Sequence, residues 1–274
     1  MKIFTLNGSR AALNIFAGLC IFTLIYLGFI HNSGTVAVSG EPPETVYLAL
    51  VINGFGNSGD GTREFMYINV PFTGSVIPGS PHTEDETRQL LANGKEVLIH
   101  MPMEARNMKN LQFSDINIMD TYTKAEARAA MLKAIDQIRG ATGISNYAGS
   151  AVMENTDLMT TVLSTAIEHD LYFVDTSDSK NTKAAGIAEE LGTGFYVQDI
   201  FIDGTRDIGK IERNLRRAAT VAENNGFAIA IGNIGPNGGR ATAQAIMNIQ
   251  SELAEKGVVL VTMSQLRDVI GSSR

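Results

Sequence analysis

From Val46 onward the chain alternates short, nearly continuous apolar runs with longer amphipathic segments. The runs VYLALVI (46–52), FTGSVI (72–77), EVLIHM (96–101), LYFVD (171–175), GFYVQDIFI (194–202), FAIAIG (227–232) and VVLVT (258–262) predict strands. Strands apolar on both sides belong to a sheet covered on both faces. Between them, TKAEARAAMLKAIDQIRG (123–140) sets Ala127, Met131, Ile135 and Ile138 along one helical face. Residues 157–170, 207–226 and 240–257 repeat that periodicity, and the last two close on Gly226 and Gly257, where a helix is expected to stop. Alternating β and α predicts a mostly parallel α/β domain, and an open doubly wound sheet or a closed barrel fits the pattern equally. In either, chemistry belongs at the C-terminal ends of the strands.

A different pattern precedes this domain. Ala11 to Ile30, AALNIFAGLCIFTLIYLGFI, is apolar on every face and uncharged. As a helix it would be about 30 Å long, enough to span a bilayer core. Lys2 and Arg10 lie before it and no Lys or Arg follows until Arg63. That asymmetry predicts residues 1–10 in the cytoplasm, a single-pass anchor at 11–30 in the inner (plasma) membrane, and an extracytoplasmic, periplasmic domain. A cleaved signal sequence competes, with small residues Ala37 and Ser39 at cleavage spacing, but the run is longer than a usual signal core. Residues 31–45, rich in Gly, Ser and Pro, read as a linker, and 46–274 as one domain.

Charge and cysteine narrow the function. A net charge of −7 leaves no basic footprint for nucleic acid. The single cysteine, Cys20, lies in the apolar segment, so no intrachain disulfide can form. Bulky Leu19 directly before it argues against lipoprotein processing.

The strand ends supply the candidate chemistry: Asn53-Gly54-Phe55-Gly56, His100 through Glu104, Asn146 and Tyr147, Asp175, Gln198 and Asp199, and Asn233. Gly54-x-Gly56-x-x-Gly59 has dinucleotide-fingerprint spacing, but Asp60-Gly61 prolongs the loop, and GSVIPG stands where the ribose-binding acid belongs. A glycine-rich turn is the better reading. Metal-assisted hydrolysis needs about three protein ligands and an open position. Of the four histidines, only His100 stands at a strand end, while His31, His82 and His169 lack ligand spacing. One histidine does not make a zinc site.

The order of motifs carries a further signal. VINGFG, PFTGSVIPGSP, NGKEVLIHMPME, SNYAGS, LYFVDTS, QDIFID, AIAIGNIGP and GVVLVTMSQL follow one another across nearly the whole domain. In this the chain resembles the divergent polysaccharide deacetylases, envelope proteins related to NodB-like carbohydrate esterases. The resemblance implies an irregular parallel (β/α) barrel. In active members it also implies a divalent metal, usually zinc, that activates water to remove an N-acetyl group from a sugar.

The same resemblance locates departures. The family's first strand typically ends in two aspartates, where this chain has Asn53 and Gly54. Its asparagine-rich turn typically carries a histidine, where this chain has Tyr147, and its late glycine-histidine-proline is here Gly232-Asn233. His100, Glu104, Asp175 and Asp199 remain. The expectation is a pseudoenzyme without a bound metal or other cofactor. Asn53, His100, Glu104, Asn146, Tyr147, Asp175, Asp199 and Asn233 would line a cleft for an envelope glycan or an envelope protein partner. The alternatives are an active hydrolase using His100, Asp175 and Asp199 around zinc or another divalent metal, and a structural subunit of an envelope complex.

Overall fold

The computed structural model of the protein describes residues 45–107, 114–177 and 183–272. The predicted anchor at 11–30, the linker up to residue 44 and His31 lie outside them. Among the described residues no helix is long and apolar enough to cross a membrane.

The strands are β1 (Val46–Phe55), β2 (Thr73–Val76), β3 (Glu96–Met103), β4 (Gly143–Ala148), β5 (Tyr172–Asp175), β6 (Phe195–Val197), β7 (Ile200–Phe201), β8 (Phe227–Asn233) and β9 (Val258–Val261). The helices are α1 (Thr62–Tyr67), α2 (Thr83–Ala92), α3 (Lys124–Gln137), α4 (Thr156–Glu168), α5 (Lys183–Leu191), α6 (Ile208–Asn225), α7 (Arg240–Glu255) and α8 (Met263–Ser272). A 3₁₀ turn at Val152–Glu154 precedes α4. The strands form one sheet in the order β6-β5-β4-β3-β2-β1-β8-β7, every pairing parallel. β9 pairs with the first half of β1, Val46 to Ala49, while β2 pairs with its second half.

The predicted strand at 194–202 is two strands, β6 and β7, at opposite ends of the sheet order, with Gln198-Asp199 between them. The sheet therefore curls without closing, and the architecture is a parallel α/β half-barrel.

Strand alternation sorts the core into two layers. Leu48, Leu50 and Ile52 of β1 pack outward with Ile99, Phe173 and the apolar faces of the helices, such as Met131, Val162, Leu215 and Ile249. Ala49, Val51, Leu98, Val174, Ile229 and Ile231 point the other way and meet Met263 and Leu266 of α8. Hydroxyls of β2 and β4, two strands apart, touch on this second face, which a sheet permits only where it is concave. The inner layer is thus the barrel interior, and α8 plugs its N-terminal end.

That floor is polar and well connected. The Glu96 carboxylate accepts hydrogen bonds from Thr73 Oγ1 (2.8 Å), Thr142 Oγ1 (2.6 Å), the Tyr172 hydroxyl (2.8 Å), the Ser264 amide (3.0 Å) and the Ser264 hydroxyl. Burial pushes the carboxyl pKa up, but the donations from Ser264, Thr142 and Tyr172 outweigh it and hold it below its ordinary value. The Arg267 guanidinium lies 4.4 Å from the centre of the Tyr172 ring. Outside, α3 begins with a reciprocal Thr123–Glu126 capping box, and Arg216 of α6 grips Glu252 of α7 through two nitrogens.

Candidate functional site

The C-terminal ends of the strands bring part of the predicted set together on the concave face. Asn53 of β1 pairs in register with Asn233 of β8 on one side and Ser75 of β2 on the other. His100 of β3 pairs with Ser145 of β4, and two residues on Pro102 pairs with Tyr147. The hydroxyls of Ser75 and Ser145 are 2.5 Å apart, and Ser145 Oγ lies 2.9 Å from His100 Nδ1. The His100 and Tyr147 rings stack at 5.0 Å with an 11° tilt. Tyr147, His100, Ser145, Ser75, Asn53 and Asn233 therefore form one polar arc around the mouth.

Its electrostatics are muted. Burial lowers the His100 pKa to about 3, so the ring is neutral at physiological pH, and burial raises that of the Tyr147 phenol. Asp203, just beyond β7, accepts hydrogen bonds at 2.6 Å from both the backbone amide and the side-chain Nδ2 of Asn233, and at 2.9 Å from Thr242 Oγ1. Burial raises the Asp203 pKa against the pull of those donors. With Nδ2 turned to Asp203, Asn233 has its Oδ1 left for other partners. Across the arc, the buried Oδ1 of Asn53 has no hydrogen-bond partner, and neither does the buried Oε1 of Gln198.

The other predicted residues lie elsewhere. Ser145 and Val174 face inward, so their neighbours Asn146 and Asp175 lie on the opposite face of the sheet. Asn146 accepts from the Thr176 amide (2.8 Å) and donates to the Ala148 carbonyl (2.8 Å), stitching the ends of β4 and β5 together. It also borders a small cleft of about 260 Å³ with Ser150 and Thr176. Asp175 is fully buried and accepts from the Ser177 amide at 2.8 Å. Glu104 accepts from the Asp120 amide and anchors the strand-end loop through its own backbone. Asp199 exchanges two 2.9 Å bonds with Ile229, its amide donating and its carboxylate accepting. Ile229 lies about 13 Å below Asn233 along β8 by strand rise. Asp199 thus closes the join between β6 and β7 and stands away from the arc.

Ser75, Ser145 and Asp203 were not singled out in the sequence. The two serines lie in short strands, TGSV and GISNYA, that carry other polar residues as well, and Asp203 follows the apolar run IFI (200–202). The glycine-rich turn after β1 is also explained. Gly56 and Ser58 amides, at 2.6 Å each, donate to the Glu86 carboxylate of α2. Glu86 thus occupies the donors that a phosphate would need. Gly56 is required there: its φ is 111°, and a Cβ would meet the Ile77 carbonyl at 2.9 Å.

Residues 50–267 match the divergent polysaccharide deacetylase family. The chain belongs to that family. It is 27% identical over 206 residues to the Escherichia coli (strain K12) protein YibQ, covering 75% of this chain and 64% of that one. The match therefore spans less than two thirds of the curated relative. Among solved structures, the protein ATU2773 of Agrobacterium tumefaciens C58 superposes with a TM-score of 0.74 at 20% identity, over 83% of this chain and 91% of that one. The Bc1960 peptidoglycan N-acetylglucosamine deacetylase superposes with a TM-score of 0.51 at 14% identity, over 82% and 89%. These likenesses agree with the half-barrel.

Active members of such a family use a divalent metal, and the donors at this mouth do not fit one. Among the described residues no group of three or more His, Cys, Asp or Glu side chains is placed to hold an ion. The arc offers one imidazole, two neutral amides and a protonated phenol, a poor set for a divalent transition metal.

Proposed function

We propose that this member of the family is a membrane-anchored pseudoenzyme of the cell envelope, whose mouth binds a glycan or protein partner without turnover. The observation that carries this reading is the pairing of Asn53 with Asn233 at the β1–β8 end of the arc. At both positions the family resemblance expects charged or metal-binding side chains, and this chain has neutral amides. Amide, phenol and imidazole groups hydrogen-bond sugar hydroxyls and acetamides without activating water. The named activity of one solved protein of this fold makes N-acetylglucosamine oligomers the first ligands to test. The anchor at 11–30 would hold the domain on the periplasmic side of the inner membrane.

The test uses the full chain in detergent, with metal content measured by atomic emission and oligomer binding by calorimetry. Saturable binding without acetate release is expected. Stoichiometric zinc removable by chelator, or acetate release abolished by His100→Ala, would replace this reading with an active hydrolase. If changes at the arc leave envelope function intact while deletion of 11–30 removes it, the domain is a structural subunit.

A further inference from the structure

The Ser75 hydroxyl, the Ser145 hydroxyl and the His100 imidazole stand in one line at 2.5 and 2.9 Å. Both serines are fully buried, and His100 is 4% exposed. Among the described residues, Ser75 has no other hydrogen-bond partner for its hydroxyl, and Ser145 bonds only Ser75 and His100. Each hydroxyl has one hydrogen to give, so the line has two possible orders.

In one order His100 Nδ1–H donates to Ser145, and Ser145 donates to Ser75. Ser75 then keeps a hydrogen with no protein acceptor among the described residues, an arrangement that folded proteins avoid. In the other, Ser75 donates to Ser145 and Ser145 donates to Nδ1, so both hydroxyl hydrogens have acceptors. The ring proton of neutral histidine must then sit on Nε2. That nitrogen has no protein partner among the described residues and is not sealed off, so it is the ring's polar contact with the mouth. Stacking on Tyr147 holds the ring plane.

We propose that Ser75 and Ser145 are positioning residues that fix His100 as the Nε2–H tautomer, so that it offers the mouth a hydrogen-bond donor and not a lone pair. This tautomer cannot coordinate a metal through Nε2, and it suits a ligand carbonyl or hydroxyl oxygen. The ligand half of the inference rests on the binding function proposed above, whereas the tautomer does not.

The experiment is long-range proton–nitrogen correlation NMR on the full chain in detergent micelles, with ¹⁵N-labelled histidine. The His100 signals are assigned by their loss in His100→Gln. The expected wild-type spectrum shows Nε2 protonated and Nδ1 bare. Ser145→Ala is expected to lose the single tautomer, and Ser145→Thr, which keeps the hydroxyl, to restore it. A wild-type spectrum with the proton on Nδ1 overturns the proposal without any variant. An Ala variant with an unchanged tautomer also overturns it, because the hydroxyl would then not set the proton. Added N-acetylglucosamine oligomers should shift the Nε2 signal. If they leave it unmoved while the tautomer stands, the glycan-binding function fails and the positioning role survives.

Discussion

The two ends of the half-barrel treat their buried acceptors in opposite ways. At the floor, the largely buried acceptor Glu96 sits among matched donors from β2, β5, α8 and the residue before β4, although the Arg267 Nε beside Tyr172 is a buried donor without a hydrogen-bond partner. At the mouth, Asn53 Oδ1 and Gln198 Oε1 are buried without partners. A satisfied buried network contributes to stability, whereas an orphaned buried acceptor costs about 1–3 kcal/mol. The floor is built to hold the fold, and the mouth retains unsatisfied groups of the kind a ligand could engage.

Substitutions can break this contrast. Glu96→Ala should have the largest effect, destabilising by about 3 kcal/mol, because it strands several buried donors together. Urea unfolding followed by circular dichroism measures this, and a loss no greater than that of an exposed substitution would remove the distinction. Asp203→Ala should come next, at about 1–2 kcal/mol, by freeing both nitrogen donors of Asn233 and the Thr242 hydroxyl. Asn53→Leu should have the opposite sign, gaining up to about 1 kcal/mol as the orphaned oxygen goes, and it should weaken oligomer binding in the same preparation. The smallest effect is expected of Arg240→Ala. Its exposed pairs with Asp60 and Glu64 tie the mouth loops, and their loss should cost under about 1 kcal/mol and shrink in salt.

Acid should separate the two ends as well. Unfolded chains protonate His100 near its ordinary value of 6.5, but the folded chain does so only at about 3. Stability due to the mouth therefore falls as pH drops through that window, with a slope of about 1.4 kcal/mol per pH unit for one proton. Glu96 also has a lowered pKa, so its contribution is present above the ordinary value of 4.5 and is lost as pH falls below it. His100→Gln should remove the earlier loss and Glu96→Gln the later one. Thermal melts from pH 8 to 3 would show whether the two losses separate in this order.

Much of the fold was legible because the strands are apolar on both sides and several helices are clearly amphipathic. Helix α2 was not, since three of its four buried residues are Thr83, Glu86 and Thr87, and a polar buried face leaves no hydrophobic period. The break between β6 and β7 was hidden because Gln198-Asp199 interrupts the run by two residues, too few to read as a loop. For the site, strand ends identified His100, Asn53, Tyr147 and Asn233 as candidates, and the structure brings them into one arc. The same rule also offered Asn146 and Asp175. When both faces of a strand are apolar, the sequence does not say which side chain turns inward.

The pairing of β1 with both β8 and β9 also has a consequence for biogenesis. Val46 finds its partner at Val258, and Asn53 finds its partner at Asn233. A ribosome delivers β1 first, yet that strand can gain these neighbours only after most of the chain has emerged. Val51 and Ile52 can pair early with β2, but the edge of VYLALVI that meets β8 and β9 must wait unpaired through much of synthesis. Folding should accordingly be slow and post-translational, governed by contacts distant in sequence. In that interval the waiting edge of the first strand is the part of the chain most open to pairing elsewhere.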